Sequence, residues 1–168
     1  MRVEHPFAPV FDSRSRILIL GSFPSVRSRE EGFYYGHPQN RFWRVLAAVY
    51  GESVPVDIPS KKRLLTDHCL ALWDAAARCD IEGSKDSSIT NAVPTDLRVI
   101  LDHAPIKRVL CNGQTAARLY HRLQEPLTHL PALTLPSTSP LNAAWRTERL
   151  AGEWGKALQL KGEVESRS

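Results

Sequence analysis

The sequence predicts an α/β protein of three layers, an α/β/α sandwich around a parallel sheet. Two observations carry this. Four short apolar runs, 16–20 (RILIL), 69–73 (CLALW), 107–111 (KRVLC) and 130–135 (LPALTL), end in the loop formers Gly21, Asp74, Asn112 with Gly113, and Pro136. Aliphatic runs of that length read as strands buried on both faces. Helical patterns lie between them, and strands alternating with helices imply parallel pairing with right-handed crossovers. A chain of 168 residues can bury a sizeable core as one domain, without staples.

Each helix has its own signal. After Asn40, residues Phe42, Leu46, Val49 and Tyr50 recur at helical spacing and Gly51 stops the run. Ser60 is expected to cap a short basic helix ending near His68, and a third helix is expected over 115–123. The last is expected over about 142–160, where Trp145, Leu150, Trp154 and Leu158 share one stripe. Segment 80–97 has no clear periodicity and reads as an active-site loop or a loose excursion. There is no internal repeat, and residues 162–168 are expected to fray.

Composition narrows the class. The chain has 22 Lys and Arg against 18 Asp and Glu, a net charge of +4 and a pI near 9.1. That mildly favours a polyanionic partner and decides little alone. Cys69, Cys79 and Cys111 form no CxxC pair and read as reduced thiols of a cytoplasmic protein, too few for an iron–sulfur cluster. The start, MRVEHPFAPVFD, lacks an apolar targeting region, and no stretch is apolar enough to span a bilayer. A soluble, non-exported protein is expected.

In open parallel sheets, ligands bind beyond the carboxyl ends of the strands. That rule gathers GSFPS (21–25), Trp73 with Asp74, Asn112 with Gly113, and PSTSPLN (136–142) onto one rim. The segment YYGHPQNRFW (34–43) joins them, because it links the first strand to its following helix.

In that order, ILGSFPS, YYGHPQNRFW, ALWD, GSKDSSI, NG and LPSTSPLN resemble the uracil-DNA glycosylase superfamily, within it the hypoxanthine-DNA (DNA-deoxyinosine) glycosylase branch. The resemblance runs from about Pro9 to Trp154 and is specific only as an ordered set. It implies a four-stranded parallel sheet with helices on both faces, base flipping, and hydrolysis of an N-glycosidic bond without metal or cofactor.

Asn40 is the expected catalytic group, its carboxamide holding a water below the sugar while charge develops on the ribose; the competing role is helix N-cap. The branch's use of an Asn at this position favours catalysis. Gly21 and Ser22 are expected to bring backbone amides to the base, or Gly21 only to permit a turn. Phe23 stacks on the flipped base or belongs to the core. Tyr34 and Tyr35 form a pocket wall or plain packing. Trp73 and Asp74 are expected to contact the base, with Asp74 alternatively capping a helix over 75–78. Asn112 reads the base edge with its donor and acceptor, or merely makes an Asn-Gly turn.

For DNA contact, Pro24, Ser25 and His37 are candidates from the first loops; His37 before Pro38 is alternatively a turn residue. Ser137, Thr138 and Ser139 offer hydroxyls and amides to phosphates, while Pro136 and Pro140 stiffen the loop. Leu141 is the expected apolar wedge, and Asn142 a contact or helix cap. Arg146 and Arg149 could add phosphate contacts. Departures from the wider superfamily matter: the acidic residue and the histidine of the well-known uracil enzymes are replaced by Phe23 or Pro24 and by Ser137, which argues against strong uracil excision. No motif lysine suggests a Schiff base, so a monofunctional, monomeric enzyme is expected, handing abasic sites to downstream repair enzymes. The alternatives are a uracil or xanthine mismatch glycosylase, or a non-enzymatic nucleic-acid-binding α/β module.

Overall fold

The computed structural model describes the backbone of residues 1–167 and the side chains of residues 1–158. The expected fraying of 162–168 lies outside the described side chains.

The four apolar runs form the central sheet. Strands β2 (Ile17–Gly21), β3 (Leu70–Asp74), β6 (Arg108–Asn112) and β7 (Ala132–Leu135) pair in the order β3-β2-β6-β7, all parallel. Alternation along β2 divides the core in two. Ile17 and Ile19 face a cluster with Phe42, Val45 and Leu46 of α2 (Phe42–Tyr50), Leu64 and Leu65 of α3 (Ile58–Asp67), and Leu150 and Trp154 of α7 (Thr147–Arg167). Leu18 and Leu20 face a second cluster with Ile100 of α4 (Arg98–Leu101) and Ala116 of α5 (Gln114–Leu119). Successive strand side chains point to opposite faces, so a strand apolar at every position requires helices on both sides.

Several boundaries differ from expectation for identifiable reasons. Asp57, not Ser60, caps α3, accepting from the Ser60 amide at 2.8 Å. A helix α1 (Val26–Glu31) opens at Ser25, whose hydroxyl accepts from the Ser28 amide, and closes at Gly32 in the left-handed region. The third helix continues through a π-helical segment (Tyr120–Gln124) into α6 (Glu125–Thr128). That segment delivers the buried Gln124, whose Nε2 donates to the carbonyls of Ala75 and Thr95 at 3.1 and 2.8 Å. The last helix starts at Thr147, because the Asn142 side chain donates to the Ser137 carbonyl at 3.0 Å rather than capping.

The larger correction concerns 80–97 and the helix expected after Asp74. Residues β4 (Ala76–Glu82) and β5 (Lys85–Pro94) form a hairpin that pairs with β1 (Arg2–Glu4) in an antiparallel sheet of order β1-β4-β5. Its buried side, Ala76, Cys79 and Ile81 with Phe23, is small. Three register shifts break the two-residue alternation, and β5 has no fully buried residue, so no strand period reaches the sequence.

Candidate active site

Strands β2, β3, β6 and β7 end together, with Gly21 beside Asp74 and Asn112 beside Leu135 in register. Beyond these ends lies a cavity of about 370 Å³. Its walls are the turn after β2, the Tyr34–Asn40 segment, the ends of β3 and β6, the hairpin residues Ser84 and Asp86, and loop 137–141. A volume of this order suits a small organic ligand.

Asn40 lies on the cavity wall. Its Oδ1 accepts from the Phe42 amide and from the Thr138 hydroxyl, each at 2.9 Å. The carboxamide thus caps the entry to α2 and is also fixed to the opposite loop. Two donors on one oxygen define the plane of the amide.

Asn112 completes that fixation. Its Nδ2 donates to Thr138 Oγ1 at 3.0 Å and Tyr35 Oη at 3.2 Å, and its Oδ1 accepts from the Thr138 amide at 3.0 Å. Both amide protons are consumed. The donor half expected to read a base is therefore engaged in tethering the loop and the Tyr35 hydroxyl, while Asn112 still lines the cavity. Gly113, at φ +96, permits this approach, since a Cβ there would stand 3.1 Å from Ser137 Cβ.

Arg41 is a participant that sequence reasoning missed. Its guanidinium donates to the carbonyls of Ser139 (2.7 Å), Asn142 (3.2 Å), Thr138 (3.4 Å) and Trp145. It occupies the N-cap of α2 without a capping bond of its own side chain. A cation at a helix N-terminus opposes the helix dipole, and that misfit was the available signal.

Asp74 ends β3 with its side chain 5% exposed and lines the cavity. His5 Nε2 lies 2.8 Å from Asp74 Oδ2, and His5 Nδ1 accepts from the Phe7 amide at 3.5 Å. Tyr35 stacks on Phe42 with ring centres 4.1 Å apart and holds φ +55, a strained backbone value for a non-glycine residue. Burial, then the Asp74 charge, raises the Tyr35 pKa well above its ordinary value, so the hydroxyl keeps its proton. Tyr34 is raised by the same two causes, and its hydroxyl donates to the Ala8 carbonyl at 2.8 Å.

Ser22 donates to Asp86 Oδ1 at 3.0 Å, tying the hairpin to the turn after β2. Much of Asp86 is open to solvent, yet protein crowds its carboxyl at the cavity mouth. That desolvation, then the Asp74 charge, raises its pKa against the opposing Ser22 bond and Arg118 charge. Phe23 is 6% exposed and shared between the cavity and the core of the second sheet, with the Arg29 guanidinium 5.7 Å above its ring.

Most residues expected at the site meet there. Gly21, Ser22, Phe23, Pro24, Ser25, Tyr35, His37, Asn40, Asp74, Asn112, Ser137, Thr138, Ser139, Pro140 and Leu141 line the cavity. Trp73 and Asn142 do not. Trp73 neighbours Asp74 on the strand and so points to the other face, packing against both main clusters. Asn142 closes its own loop on Ser137. His37 Nδ1 accepts from the Gln39 amide at 3.1 Å, a turn contact. Among the described residues, no group of three or more His, Cys, Asp or Glu is arranged to hold a metal ion, and no helix is long and apolar enough to cross a membrane.

The cavity at the strand ends is bounded by tyrosine side chains, carboxylates and a fixed carboxamide. The model of the uracil DNA glycosylase superfamily matches residues 8–159, and the chain belongs to that superfamily; it is a DNA glycosylase. It is 32% identical over 155 residues to a hypoxanthine DNA glycosylase of Methanosarcina barkeri, covering 91% of this chain and 96% of the relative. A protein of the same name from Methanosarcina acetivorans is 34% identical over 155 residues, at 90% and 96% coverage. The fold matches the solution NMR structure of a candidate uracil DNA glycosylase from Methanosarcina acetivorans, with a TM-score of 0.79, 30% identity, and 94% and 97% coverage.

Proposed function

We propose that this DNA glycosylase flips deaminated bases out of DNA, hypoxanthine foremost, and hydrolyses the N-glycosidic bond with a water positioned by Asn40. The carrying observation is the fixed Asn40 carboxamide: two donors occupy Oδ1, which leaves Nδ2 to hold a water through one lone pair. The water's second lone pair attacks the sugar carbon as the N-glycosidic bond breaks, and the departing base takes up the proton that the water sheds, so catalysis rests on positioning rather than on a strong base. Extruding the nucleotide costs roughly a few kcal/mol, least for mispaired bases such as hypoxanthine opposite thymine. The name shared by the two Methanosarcina relatives supports this substrate. In this reading the chain works as a single-domain cytoplasmic monomer, without metal or cofactor, and passes its abasic product to downstream repair enzymes.

The test is base release from duplexes carrying inosine opposite thymine. Hypoxanthine release faster than uracil or xanthine release is expected, and Asn40→Ala is expected to lose about 100-fold in turnover with DNA binding retained. Equal or faster uracil release would favour the second reading, a uracil mismatch glycosylase, which the superfamily itself keeps open.

A further inference from the structure

We propose that His5 is a positioning residue that holds the Asp74 carboxylate as the acceptor half of a lactam-reading pair, with the Tyr35 hydroxyl as the donor half. The proposal rests on the base-excising reading above and specifies its substrate class: bases that present an N–H beside a C=O.

Three contacts place the pair. His5 Nδ1 accepts from the Phe7 amide, which assigns the ring proton to Nε2, and Nε2 donates to Asp74 Oδ2 at 2.8 Å. Both side chains are 5% exposed, so this bond is shielded from solvent. The other oxygen, Asp74 Oδ1, lies against Gly21: a Cβ built there would collide with it and would stand 2.8 Å from the Tyr35 hydroxyl. The missing side chain of Gly21 therefore lets both groups approach one point on the cavity wall. Tyr35 Oη already accepts from Asn112 Nδ2, so its proton is free to point into the cavity.

The chemistry selects its ligand. Hypoxanthine offers N1–H beside O6, which matches a carboxylate acceptor and a hydroxyl donor. Uracil and xanthine offer the same pattern, as do guanine and thymine, so the pair separates lactam bases from adenine and cytosine. Adenine offers N1 as acceptor beside an amino donor, the reverse, and would leave the carboxylate facing a lone pair. A site built on buried hydrogen-bonding groups rejects the mismatched base because those groups are left unpaired. His5 belongs to this device although it does not line the cavity. Without its N–H, a buried carboxylate loses its partner and is free to rotate.

The experiment compares wild type, His5→Ala, His5→Gln and Asp74→Asn. It reads single-turnover rates on inosine, uracil and adenine duplexes, fluorescence-anisotropy binding to the same duplexes, and thermal melting. His5→Ala should lose about tenfold or more in rate constant at saturating enzyme, with little change in affinity for abasic-site DNA, and His5→Gln should recover most of it. In Asp74→Asn the new Oδ1 takes the His5 proton and turns Nδ2 to the base, so the preference for hypoxanthine over adenine in binding should shrink about 100-fold. Wild-type activity on uracil but not on hypoxanthine would overturn the proposed substrate and leave the pair standing, since both bases are lactams. Full activity of His5→Ala, equal loss in a folded His5→Gln, or unchanged discrimination in Asp74→Asn would overturn this inference alone. Failure of the wild type to separate lactam bases from adenine, in turnover and in binding, would overturn both.

Discussion

Arg41 and Ser139, 98 residues apart, are joined by a 2.7 Å hydrogen bond from guanidinium to main-chain carbonyl. The residue next to Asn40 thereby grips the loop whose Thr138 fixes Asn40 from the other side. The turn and the loop are one unit, and the position of the carboxamide depends on both. Arg41→Ala should cost about 2 kcal/mol of stability, since bonds from a charged donor are lost and carbonyls are left open. It should also reduce turnover by at least tenfold, although Arg41 does not line the cavity. Arg41→Lys should fail almost as badly, because a single ammonium cannot span the four carbonyls. Urea denaturation beside single-turnover kinetics checks both.

Gly21 is required for space rather than for backbone freedom. Its absent side chain is where Asp74 Oδ1 and Tyr35 Oη meet, and both groups are held by other bonds, to His5 and Asn112. Gly21→Ala is expected to destabilise by about 1–3 kcal/mol through overpacking. Base release should fall further than stability does, because the methyl group displaces the Asp74 and Tyr35 groups that line the cavity. A folded Gly21→Ala protein with parental activity would refute this.

The sheet was legible because its strands are largely apolar and end in loop formers, as β2 and β3 show, although β7 is mostly exposed and not buried on both faces. The rim was legible because Gly21, Asp74, Asn112 and Pro136 mark the strand ends in turn. The antiparallel hairpin was not, since half-exposed strands with register shifts carry no period. Nor was the pairing of His5 with Asp74, 69 residues apart, because a histidine before Pro6 near the chain start has no local signature. Asn112 shows a different limit. The residue was found, but only the geometry reveals that its amide protons are spent on Thr138 and Tyr35.

Asp86 should make stability depend on pH. Its folded pKa is raised above the ordinary carboxylate value, by desolvation first and the Asp74 charge second. The folded state therefore holds its proton more tightly than the unfolded one, and stability falls as pH rises from the unfolded pKa through the folded one. At neutral pH the charged carboxylate works against folding. Asp86→Asn keeps an oxygen for the Ser22 hydroxyl and removes the charge, so it should melt higher than the parent at neutral pH. The difference should vanish below the ordinary Asp pKa. Paired thermal melts across an acid-to-neutral series measure it, and a constant offset would contradict the assignment.

Leu141 is 86% exposed at the cavity mouth, between the rigid Pro140 and a loop held by Arg41. An aliphatic side chain so exposed adds almost nothing to the fold, so Leu141→Ala should change stability by less than about 0.5 kcal/mol. Its use lies in the duplex. Flipping leaves a gap in the base stack, and an apolar wedge on a stiff loop fills that gap at little ordering cost. Leu141→Ala should therefore slow hypoxanthine release from duplex DNA by about tenfold, worth about 1.4 kcal/mol. On single-stranded DNA, where no stack has to be replaced, the loss should be much smaller. A rate ratio between duplex and single strand that stays the same in parent and variant would show that Leu141 contacts DNA without acting as a wedge.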